Sequence, residues 1–438
     1  MTRAALRLPA LLALATACSG GGAADSGLPP GPECGPQSRA VDFDPSWLPS
    51  APGLDPEDGA VPFEVEGLDD GHGGVAYGVL LAGHYHIRIQ RPADCLEDGQ
   101  PCQPFGYQYD PVDDRWEDEE STARQLVATL AQVRQYDLLR RPELQVSARD
   151  ALLLVEQRVL WSDEGARIES LGPTGLLALA AAEYQRVTGD ERFDTLIDGL
   201  GATLLADVRS DGTYGGSSLQ FAQGHSAFWR LYALTGEAAY LDALRQMAAY
   251  AEANTDTMTG EGDFFEFPYV YGLWAAEPLT ELYRLDGDDW LADLVYRIGD
   301  DVMTRQYRGV APGVITDECA WRGGWTPNSG VGAPNWNSTI KLEAMVDAWR
   351  MAALAGDADR EAVYRAAAEQ GAAWMLTNQY RLGDTDGFAD PELPIGGFPL
   401  FVDDPDVRID IPGHGSIALA KASAWLLEEE TPGAFGTP

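Results

Sequence analysis

The stretch 175–190, with the sequence GLLALAAAEYQRVTGD, decides the fold class of this chain. It begins as an almost wholly apolar helical segment and ends in the tight turn Val187-Thr188-Gly189-Asp190, after which a more charged helix follows. Similar Gly-Asp or Gly-Glu turns recur at Gly236, Gly287 and Gly356. A helical hairpin cannot bury its apolar face alone, so we expect the repeated hairpins to stack on one another.

Helical periodicity continues over most of the chain and predicts five helix pairs and one final helix. The predicted spans are 118–138, 143–161, 173–188, 191–207, 218–234, 238–254, 270–286, 289–304, 337–355, 359–379 and 414–429. The first helix of each later pair is almost wholly apolar, which is typical of helices buried on most sides. Inner helices enclosed by outer helices form a closed ring, so the pattern predicts a mainly all-α protein with an (α/α)6-type toroid. Six pairs need one more helix, so either one helix is missed or another segment closes the ring.

The connections between helices differ in length according to their place. Short turns join the two helices of a pair, and long loops join successive pairs. Stacked hairpins therefore place the short turns on one rim of the ring, the short-turn rim, and the long loops on the other, the long-loop rim. The long loops are 207–218, 255–269, 305–336 and 380–413. Binding chemistry usually lies on such a rim.

The first 18 residues have the features of an export signal rather than of a folded segment. A basic start precedes the apolar run Leu8 to Ala17, which is too short to span a bilayer. The sequence Leu14-Ala15-Thr16-Ala17-Cys18 resembles a bacterial lipobox and predicts that Cys18 is lipidated, with an ordinary cleaved signal as the alternative. The lipid would anchor the protein in the bacterial cell envelope, and Ser19 favours the outer membrane.

The remaining chain divides by composition. Residues 19–60 are rich in Gly, Ala, Ser, Pro and Asp and predict a flexible tether followed by an irregular arm. Residues 61–110 predict a small β-rich region, because Val75 to Ile89 is rich in Val, Ile, Tyr and His. The toroid domain is expected over 111–430.

Cysteine usage agrees with export to an oxidising compartment, because four cysteines remain once Cys18 is set aside. Cys95 and Cys102 flank a turn-forming loop, so we expect them to form a disulfide. By elimination Cys34 would pair with Cys319, which would fasten the N-terminal arm to a long loop.

The chain is strongly acidic, with 69 acids against 30 bases and a formal charge of -39. This balance makes nucleic acid a poor partner, since phosphate binding needs clustered Lys and Arg, and it also disfavours uncompensated polyuronates. The charge is explained by a solubilising surface or, for some acids, by divalent-cation binding. Asp384 and Asp386 resemble part of a calcium loop, but no Glu follows at the required spacing. We therefore predict no cofactor and keep calcium as an open alternative.

The long loops combine acids with aromatic residues, which suits carbohydrate. Sugar C–H faces stack on aromatic rings, and two carboxylates can act as acid and base or as nucleophile. Ordinary turn chemistry and loop packing are the alternative explanation of the same composition. The predicted substrate-binding residues are Trp321, Trp325, Trp336, Phe265, Tyr269 and Arg408.

Five residues are candidates for catalysis. Asp317 and Glu318 are the first choice, because an apolar segment before them and Trp321 after them could desolvate a carboxyl group and raise its pKa. Glu343 lies on a predicted inner helix, where it would point to the ring axis or pair with a cation. Asp410 and His414 could meet at the start of the last inner helix, where Asp410 would cap the helix or orient His414.

The apolar helices joined by Thr-Gly-Asp-like turns resemble the six-hairpin toroid of many glycoside hydrolases, uronate lyases and sugar epimerases, over about residues 105–430. Gly397-Phe398, followed by Arg408-Ile409-Asp410 and His414, is similar to the closing segment of some uncharacterised bacterial toroids. The resemblance implies a carbohydrate-active enzyme of glycosidase, lyase or epimerase type that uses carboxylates of the long-loop rim. The competing hypothesis is a non-catalytic envelope protein that binds glycan or a protein partner through the same rim. Carboxyl groups roughly 5–10 Å apart across a cleft would favour a hydrolase, whereas acids paired with Arg would favour binding.

Overall fold

The computed structural model describes residues 74–117, 121–163, 165–254, 269–308, 313–315, 318–327, 332–381, 383–402 and 404–430. This part of the chain is mainly helical. Its α-helices are α1 (Gly74–Ile89), α2 (Thr122–Leu139), α3 (Pro142–Glu156), α4 (Leu171–Thr188), α5 (Asp194–Asp207), α6 (Ser218–Thr235), α7 (Ala238–Asn254), α8 (Tyr269–Asp286), α9 (Asp289–Thr304), α10 (Asn337–Ala355), α11 (Ala358–Asn378) and α12 (Asp410–Glu430). All eleven predicted helices are present, although α3 ends at Glu156 rather than at residue 161.

The even-numbered helices form a closed inner ring. Each of α2, α4, α6, α8, α10 and α12 packs against the next, and α12 packs against α2. The odd-numbered helices lie outside this ring, where α3, α5, α7, α9 and α11 pack on the inner helices that precede them. This architecture confirms the predicted (α/α)6 toroid.

Four glycines end inner helices as the turn sequences predict. Gly189, Gly236, Gly287 and Gly356 all have φ between 71° and 72°, the left-handed region that L side chains adopt at a cost. The Gly189 N–H donates to the Gln185 carbonyl at 2.8 Å, and Gly236 and Gly287 make the equivalent bond. These bonds satisfy carbonyls that a helix end leaves unpaired, so each turn reverses the chain within a few residues.

The prediction of strands over Val75 to Ile89 is wrong, because this segment is the helix α1. Every residue from Val75 to Ile89 is buried except Tyr77, Ile87 and Arg88, which is typical of a helix covered on most sides. The helix packs mainly on α12 and α2. Helix α1 is therefore the missing outer helix, and the first and last helices of the described chain together complete the sixth pair.

Short strands accompany the ring. They are β1 (Leu96–Glu97), β2 (Gln100–Pro101), β3 (Gln108–Asp110), β4 (Arg115–Glu117), β5 (Leu160–Ser162), β6 (Gly165–Arg167), β7 (Tyr307–Arg308), β8 (Val314–Ile315) and β9 (Val407–Arg408). The antiparallel sheet β4-β3-β9 joins the segment before the ring to the segment before α12. The predicted disulfide between Cys95 and Cys102 is confirmed and links β1 to β2. The β-containing N-terminal region thus consists of strands that follow α1.

The apolar core fills the space between the inner and outer helices, with Trp349, Tyr184, Phe193 and Phe228 among its largest buried side chains. None of the helices in the described part of the chain has the length and apolar character that crossing a bilayer requires.

Candidate functional site

A small, partly open cavity lies inside the inner ring. All six inner helices contribute to its wall. The lining residues are Leu130, Arg134, Leu179, Ser226, Trp229, Arg230, Leu273, Trp274, Glu277, Pro278, Glu343, Ile417 and Lys421. Two tryptophans and several aliphatic side chains therefore face a small set of charged groups, which is the usual composition of a ligand-binding cavity.

His414 and Glu343 form a buried pair inside the ring. The Nδ1 atom of His414, on α12, lies 2.8 Å from Oε1 of Glu343, on α10, and the two residues are 7% and 2% exposed. The indole of Trp274, on α8, meets the imidazole edge to face at 5.6 Å. An ionised carboxylate can only accept a hydrogen bond, so in this contact His414 donates its Nδ1 proton to Glu343.

Lys421 lies two turns beyond His414 on α12 and is surrounded by three carboxylates. Its Nζ atom is 2.9 Å from Asp347, 3.0 Å from Glu277 and 3.9 Å from Glu343. Burial lowers the pKa of Lys421, but the carboxylates of Asp347, Glu277 and Glu343 outweigh burial and raise it overall. Burial also raises the pKa of Asp347, to about 6, against the attraction of Lys421. The ammonium of Lys421 therefore stays charged, whereas burial disfavours the charged form of Asp347.

Ion pairs continue from Lys421 across the ring. Glu277 contacts Arg134 of α2 and Arg230 of α6, each at 2.9 Å, and Glu183 of α4 contacts the same two arginines at 3.0 Å. Burial would raise the pKa of Glu277, but Arg134, Lys421 and Arg230 hold it well below its usual range. We call these connected groups the central ion-pair network. Its members are Arg134, Glu183, Arg230, Glu277, Asp347 and Lys421.

The central ion-pair network sets the direction of the cavity. Inner helices run from the long-loop rim to the short-turn rim, and Glu183 lies close to the end of α4. Lys421 and Asp347 likewise lie further along their helices than His414 and Glu343. The network therefore forms a charged floor on the short-turn side of the His414–Glu343 pair.

Asp410 and Arg408 lie at the long-loop rim, at the start of α12. Arg408 donates two hydrogen bonds to the Asp410 carboxylate, at 2.6 and 3.0 Å, and Arg124 of α2 approaches the same carboxylate at 3.5 Å. The Arg408 guanidinium also stacks on the Trp336 ring, with 5.0 Å to its centroid. The structure thus brings Asp410, Arg408 and Trp336 together, but the prediction that Asp410 orients His414 is wrong, because Glu343 holds the imidazole.

The loop that carries Asp317 and Glu318, the first-choice catalytic residues, is built differently from the prediction. Glu318 is exposed, so the desolvation expected for one carboxyl group of the Asp317-Glu318 pair does not occur at Glu318. Trp325 is fully buried and donates from Nε1 to the Val302 carbonyl of α9 at 2.9 Å, so it fastens the loop and presents no face to a ligand. Trp321 is half-buried and packs on Tyr307 at 5.3 Å.

Several predicted residues lie outside the described residues, or partly so. Cys18, Cys34, Phe265 and Asp317 are outside them. Tyr269 is the first residue of α8. Cys319 is disulfide-bonded, and its pairing with Cys34 stays a prediction.

Sequence reasoning missed the central ion-pair network and Trp274. The available signal was the presence of single charged residues inside apolar inner helices, such as Glu183 in 175–190 and Lys421 in the sequence IALAKASAW at 417–425. Charged residues are rarely buried unless they are paired, so such positions predict partners across the ring.

Metal ligands are sparse in the part of the chain that the structure describes. Cys95, Glu97 and Cys102 form the one group there whose ligand atoms are close enough for a metal ion, and its two cysteines are joined as a disulfide. The calcium hypothesis for Asp384 and Asp386 stays a prediction.

No known protein family and no curated protein matches the sequence. Solved structures match the fold at low identity. The α-1,6-mannanase GH76A of Salegentibacter sp. HEL1_6, in complex with α-1,6-mannotetrose, aligns with a TM-score of 0.56 at 12% identity over 80% of this chain and 99% of that chain. A sugar epimerase from a ruminal bacterium aligns with a TM-score of 0.56 at 10% identity over 80% and 98%. An unsaturated glucuronyl hydrolase specific for heparin aligns with a TM-score of 0.55 at 12% identity over 81% and 98%. At these identities the match is one of fold, and this chain has the (α/α)6 toroid fold that these structures share.

Proposed function

We propose that this protein is a carbohydrate-active enzyme of the proton-transfer kind, an isomerase or epimerase of a neutral sugar. One observation carries the proposal, which is the 2.8 Å contact between His414 Nδ1 and Glu343 Oε1 inside the ring. A histidine whose Nδ1–H is held by a carboxylate has a defined tautomer, and it can take up a proton at Nε2 while the carboxylate stabilises the imidazolium.

The chemistry follows from the neutral imidazole. His414 Nε2 removes the proton from the carbon next to the carbonyl of an open-chain sugar, the electron pair of the C–H bond forms the C=C bond of an enediolate, and the π pair of the C=O bond moves to its oxygen. For an isomerisation, the proton of the neighbouring hydroxyl group moves to that oxygen, and the imidazolium, after exchange with solvent, returns a proton to the former carbonyl carbon. For an epimerisation, the enediolate turns over in the site and the imidazolium returns the proton to the opposite face of the same carbon. The step needs no oxidant or reductant. Glu343 keeps the imidazole in place and balances its transient charge.

Two-carboxylate hydrolysis is less well supported. A hydrolase needs one carboxyl group that is protonated and a second that is free to act as base or nucleophile. Asp347 has the raised pKa of an acid, but its Oδ2 is held by Lys421 at 2.9 Å. Glu277 lines the cavity but bonds three cations. The carboxylates recorded here are thus engaged by cations.

The substrate class is inferred from the cavity wall. Trp274 and Trp229 offer aromatic faces, and Leu179, Leu273 and Ile417 offer aliphatic contacts. The cations that line the cavity are Arg134, Arg230 and Lys421, and all three contact carboxylates, so a neutral sugar fits this wall better than a uronate. The names of two similar structures, a D-mannose isomerase and a sugar epimerase, agree with this chemistry.

Hydrogen exchange on the substrate tests the proposal. The protein is incubated in D2O with a panel of neutral aldoses and ketoses, and proton NMR follows deuterium incorporation next to the carbonyl and the appearance of a second sugar. We expect exchange with one or a few sugars, and loss of exchange in His414→Asn and Glu343→Gln. His84→Asn is the matched control, because His84 faces Glu143 at 3.8 Å in a second buried pair on the outer helices. Exchange at the full rate in His414→Asn would contradict the proposal.

A non-catalytic glycan-binding protein is the second candidate. It is favoured by the extensive pairing of the cavity acids with Arg and Lys. Saturation-transfer NMR on the same sugars distinguishes the two, since binding without deuterium incorporation supports the second candidate.

We also propose that the protein is exported and anchored by a lipid on Cys18 in the bacterial cell envelope, and that Cys34 pairs with Cys319. The support is the sequence of the first 18 residues and the even number of remaining cysteines.

A further inference from the structure

Glu343 is a buried carboxylate with two different partners. Its Oε1 accepts from His414, and its Oε2 lies 3.9 Å from the ammonium of Lys421. A buried carboxylate needs a cation or several hydrogen bonds to remain ionised. In the part of the chain that the structure describes, Lys421 is the permanently charged group recorded within ion-pair distance of Glu343. Either Lys421 or a protonated His414 must therefore compensate this carboxylate.

We propose that Lys421 is a positioning residue of this site: as the permanent counter-ion of Glu343 it leaves His414 neutral, with its proton on Nδ1 and its lone pair on Nε2. This inference rests on the proposed function, because a neutral His414 is needed only if His414 acts as the base. Lys421 itself touches no reacting atom in this scheme.

The surroundings of Lys421 explain why it stays charged. Asp347 and Glu277 hold its ammonium at 2.9 and 3.0 Å, and burial without them would favour the neutral amine. Glu277 is in turn fixed by Arg134 and Arg230. The central ion-pair network thus does more than close the ring floor, because it fixes a positive charge below Glu343.

Asp410 is a further charged group near His414, and it belongs to a separate cluster. It lies one turn nearer the long-loop rim on the same helix, where Arg408 and Arg124 contact it. From α8 the recorded neighbour of His414 is Trp274, and from α10 it is Glu343, whereas Glu277 and Asp347 contact Lys421. Replacing Lys421 leaves the contacts of Asp410 intact, so a change in the His414 titration would report the loss of the ammonium.

The titration of His414 tests the proposal without any substrate. The chain has five histidines, so imidazole NMR signals of the full-length protein are few, and His414→Asn identifies the signal of His414. In Lys421→Met, the buried carboxylates lose their ammonium and His414 becomes the counter-ion of Glu343. We expect the pKa of His414 to rise by about one pH unit or more. Lys421→Arg keeps the charge and should restore the original titration.

Arg350→Met is the matched control, because Arg350 is a half-buried cation of α10 whose recorded ion pair is with Glu281. It should leave the His414 titration in place, and thermal unfolding of each variant checks that the fold is kept. An unchanged or lowered pKa of His414 in folded Lys421→Met overturns the proposal, and so does an equal rise in Arg350→Met. If Lys421→Met does not fold, a shift of about one pH unit or more in the pKa of His414 in Lys421→Arg overturns the proposal. The proposed function fails separately, when no sugar of the panel exchanges deuterium.

Discussion

Arg134 and Glu277 lie on helices that face each other across the ring, α2 and α8, and yet their Nη2 and Oε1 atoms are only 2.9 Å apart. The ring order α2, α4, α6, α8, α10, α12 places two helices between them on either side. A direct contact between opposite helices means that side chains fill the ring at this level. Glu277 therefore connects three other inner helices, through Arg134, Arg230 and Lys421.

Glu277→Gln should destabilise the fold strongly. It preserves the shape of the side chain but leaves three buried cations without their shared carboxylate, and breaking a buried pair costs about 3–5 kcal/mol. Urea unfolding measures the loss. Asp286→Asn is the control, since its pair with Arg245 is 20% and 43% exposed and should contribute no more than about 1 kcal/mol. Equal losses in the two variants would show that the central ion-pair network is not a stabilising element.

Asp347 should make stability fall as pH rises. Its pKa is about 6 in the folded protein, above the ordinary value of 3.8, because burial disfavours the charged form. The contribution of a group with a raised pKa is fully present below its unfolded pKa and is lost as pH rises through the folded pKa, here between about 4 and about 6. Asp347→Asn removes this dependence. The Tm of the variant relative to the wild type should therefore be higher at about pH 7 than at about pH 4.

Asp357→Asn gives the opposite sign and serves as the control for Asp347. Asp357 caps α11 by accepting from the Arg360 N–H at 3.1 Å. Burial is the largest single effect and raises its pKa, but the hydrogen bonds and charge of Arg360 together outweigh burial and lower it. Asn is an equally good cap, so the variant should lose stability relative to the wild type as pH rises through the carboxylate range. If the stabilities of Asp347→Asn and Asp357→Asn, each relative to the wild type, changed in the same direction with pH, the opposite pKa shifts of Asp347 and Asp357 would be contradicted.

The four hairpin glycines should each resist replacement. In Gly189→Ala, Gly236→Ala, Gly287→Ala and Gly356→Ala the new methyl group meets nothing within 4 Å, so only the left-handed backbone opposes it. We expect each variant to lose about 1 kcal/mol in urea unfolding. Gly387 has the same open surroundings without a positive φ, and Gly387→Ala should be neutral or slightly stabilising. Neutral effects at most of the four hairpin positions would refute the turn assignment.

The ring could be predicted because its signals are local. A glycine in the left-handed region and an apolar helix are both visible in a short stretch such as 175–190. Helix α1 could not be predicted in the same way, because its Val, Ile and aromatic residues favour strands and Gly78 and Gly83 weaken a helix. At Gly78 an added Cβ would lie 2.4 Å from Leu376, and the Gly83 carbonyl accepts from Gln132 at 2.9 Å. Packing against neighbouring helices therefore determines that this segment is helical.

The candidate site could be predicted only in part, because its pairs join distant positions. Glu343 and His414 were both candidates from the sequence, but their contact spans 71 residues and no local pattern indicates it. Glu318 was preferred because an apolar segment precedes it in the chain and Trp321 follows it. Its exposure shows that neighbours in sequence did not bury it. The charged residues Lys421 and Glu277 lie on α12 and α8, far apart in the sequence.

Lipid anchoring at Cys18 predicts membrane partitioning in a bacterial host. The wild-type protein should sediment with the envelope membranes and enter the detergent phase, because an N-terminal acyl anchor inserts into the bilayer. Cys18→Ser should move it to the soluble exported fraction or leave its signal uncleaved. Cys95→Ser is the control, since it removes a disulfide and leaves the anchor unchanged. A wild-type protein that is soluble after export would contradict the anchor.

Glu318→Gln and Glu343→Gln should separate the loop from the ring as the place of the chemistry. Both changes keep the side-chain shape and remove one negative charge. Glu318 is exposed, so its replacement should change neither deuterium exchange nor Tm by a measurable amount.

Glu343 holds His414 in the tautomer that leaves Nε2 basic. A Gln can also donate to Nδ1 and so stabilise the wrong tautomer, and loss of this orientation should lower kcat by about a hundredfold or more. Comparison of kcat with KM identifies the cause, since a misoriented base lowers kcat whereas a lost binding contact raises KM. Loss of turnover in Glu318→Gln, with Glu343→Gln fully active, would return the catalytic acid to the long-loop rim.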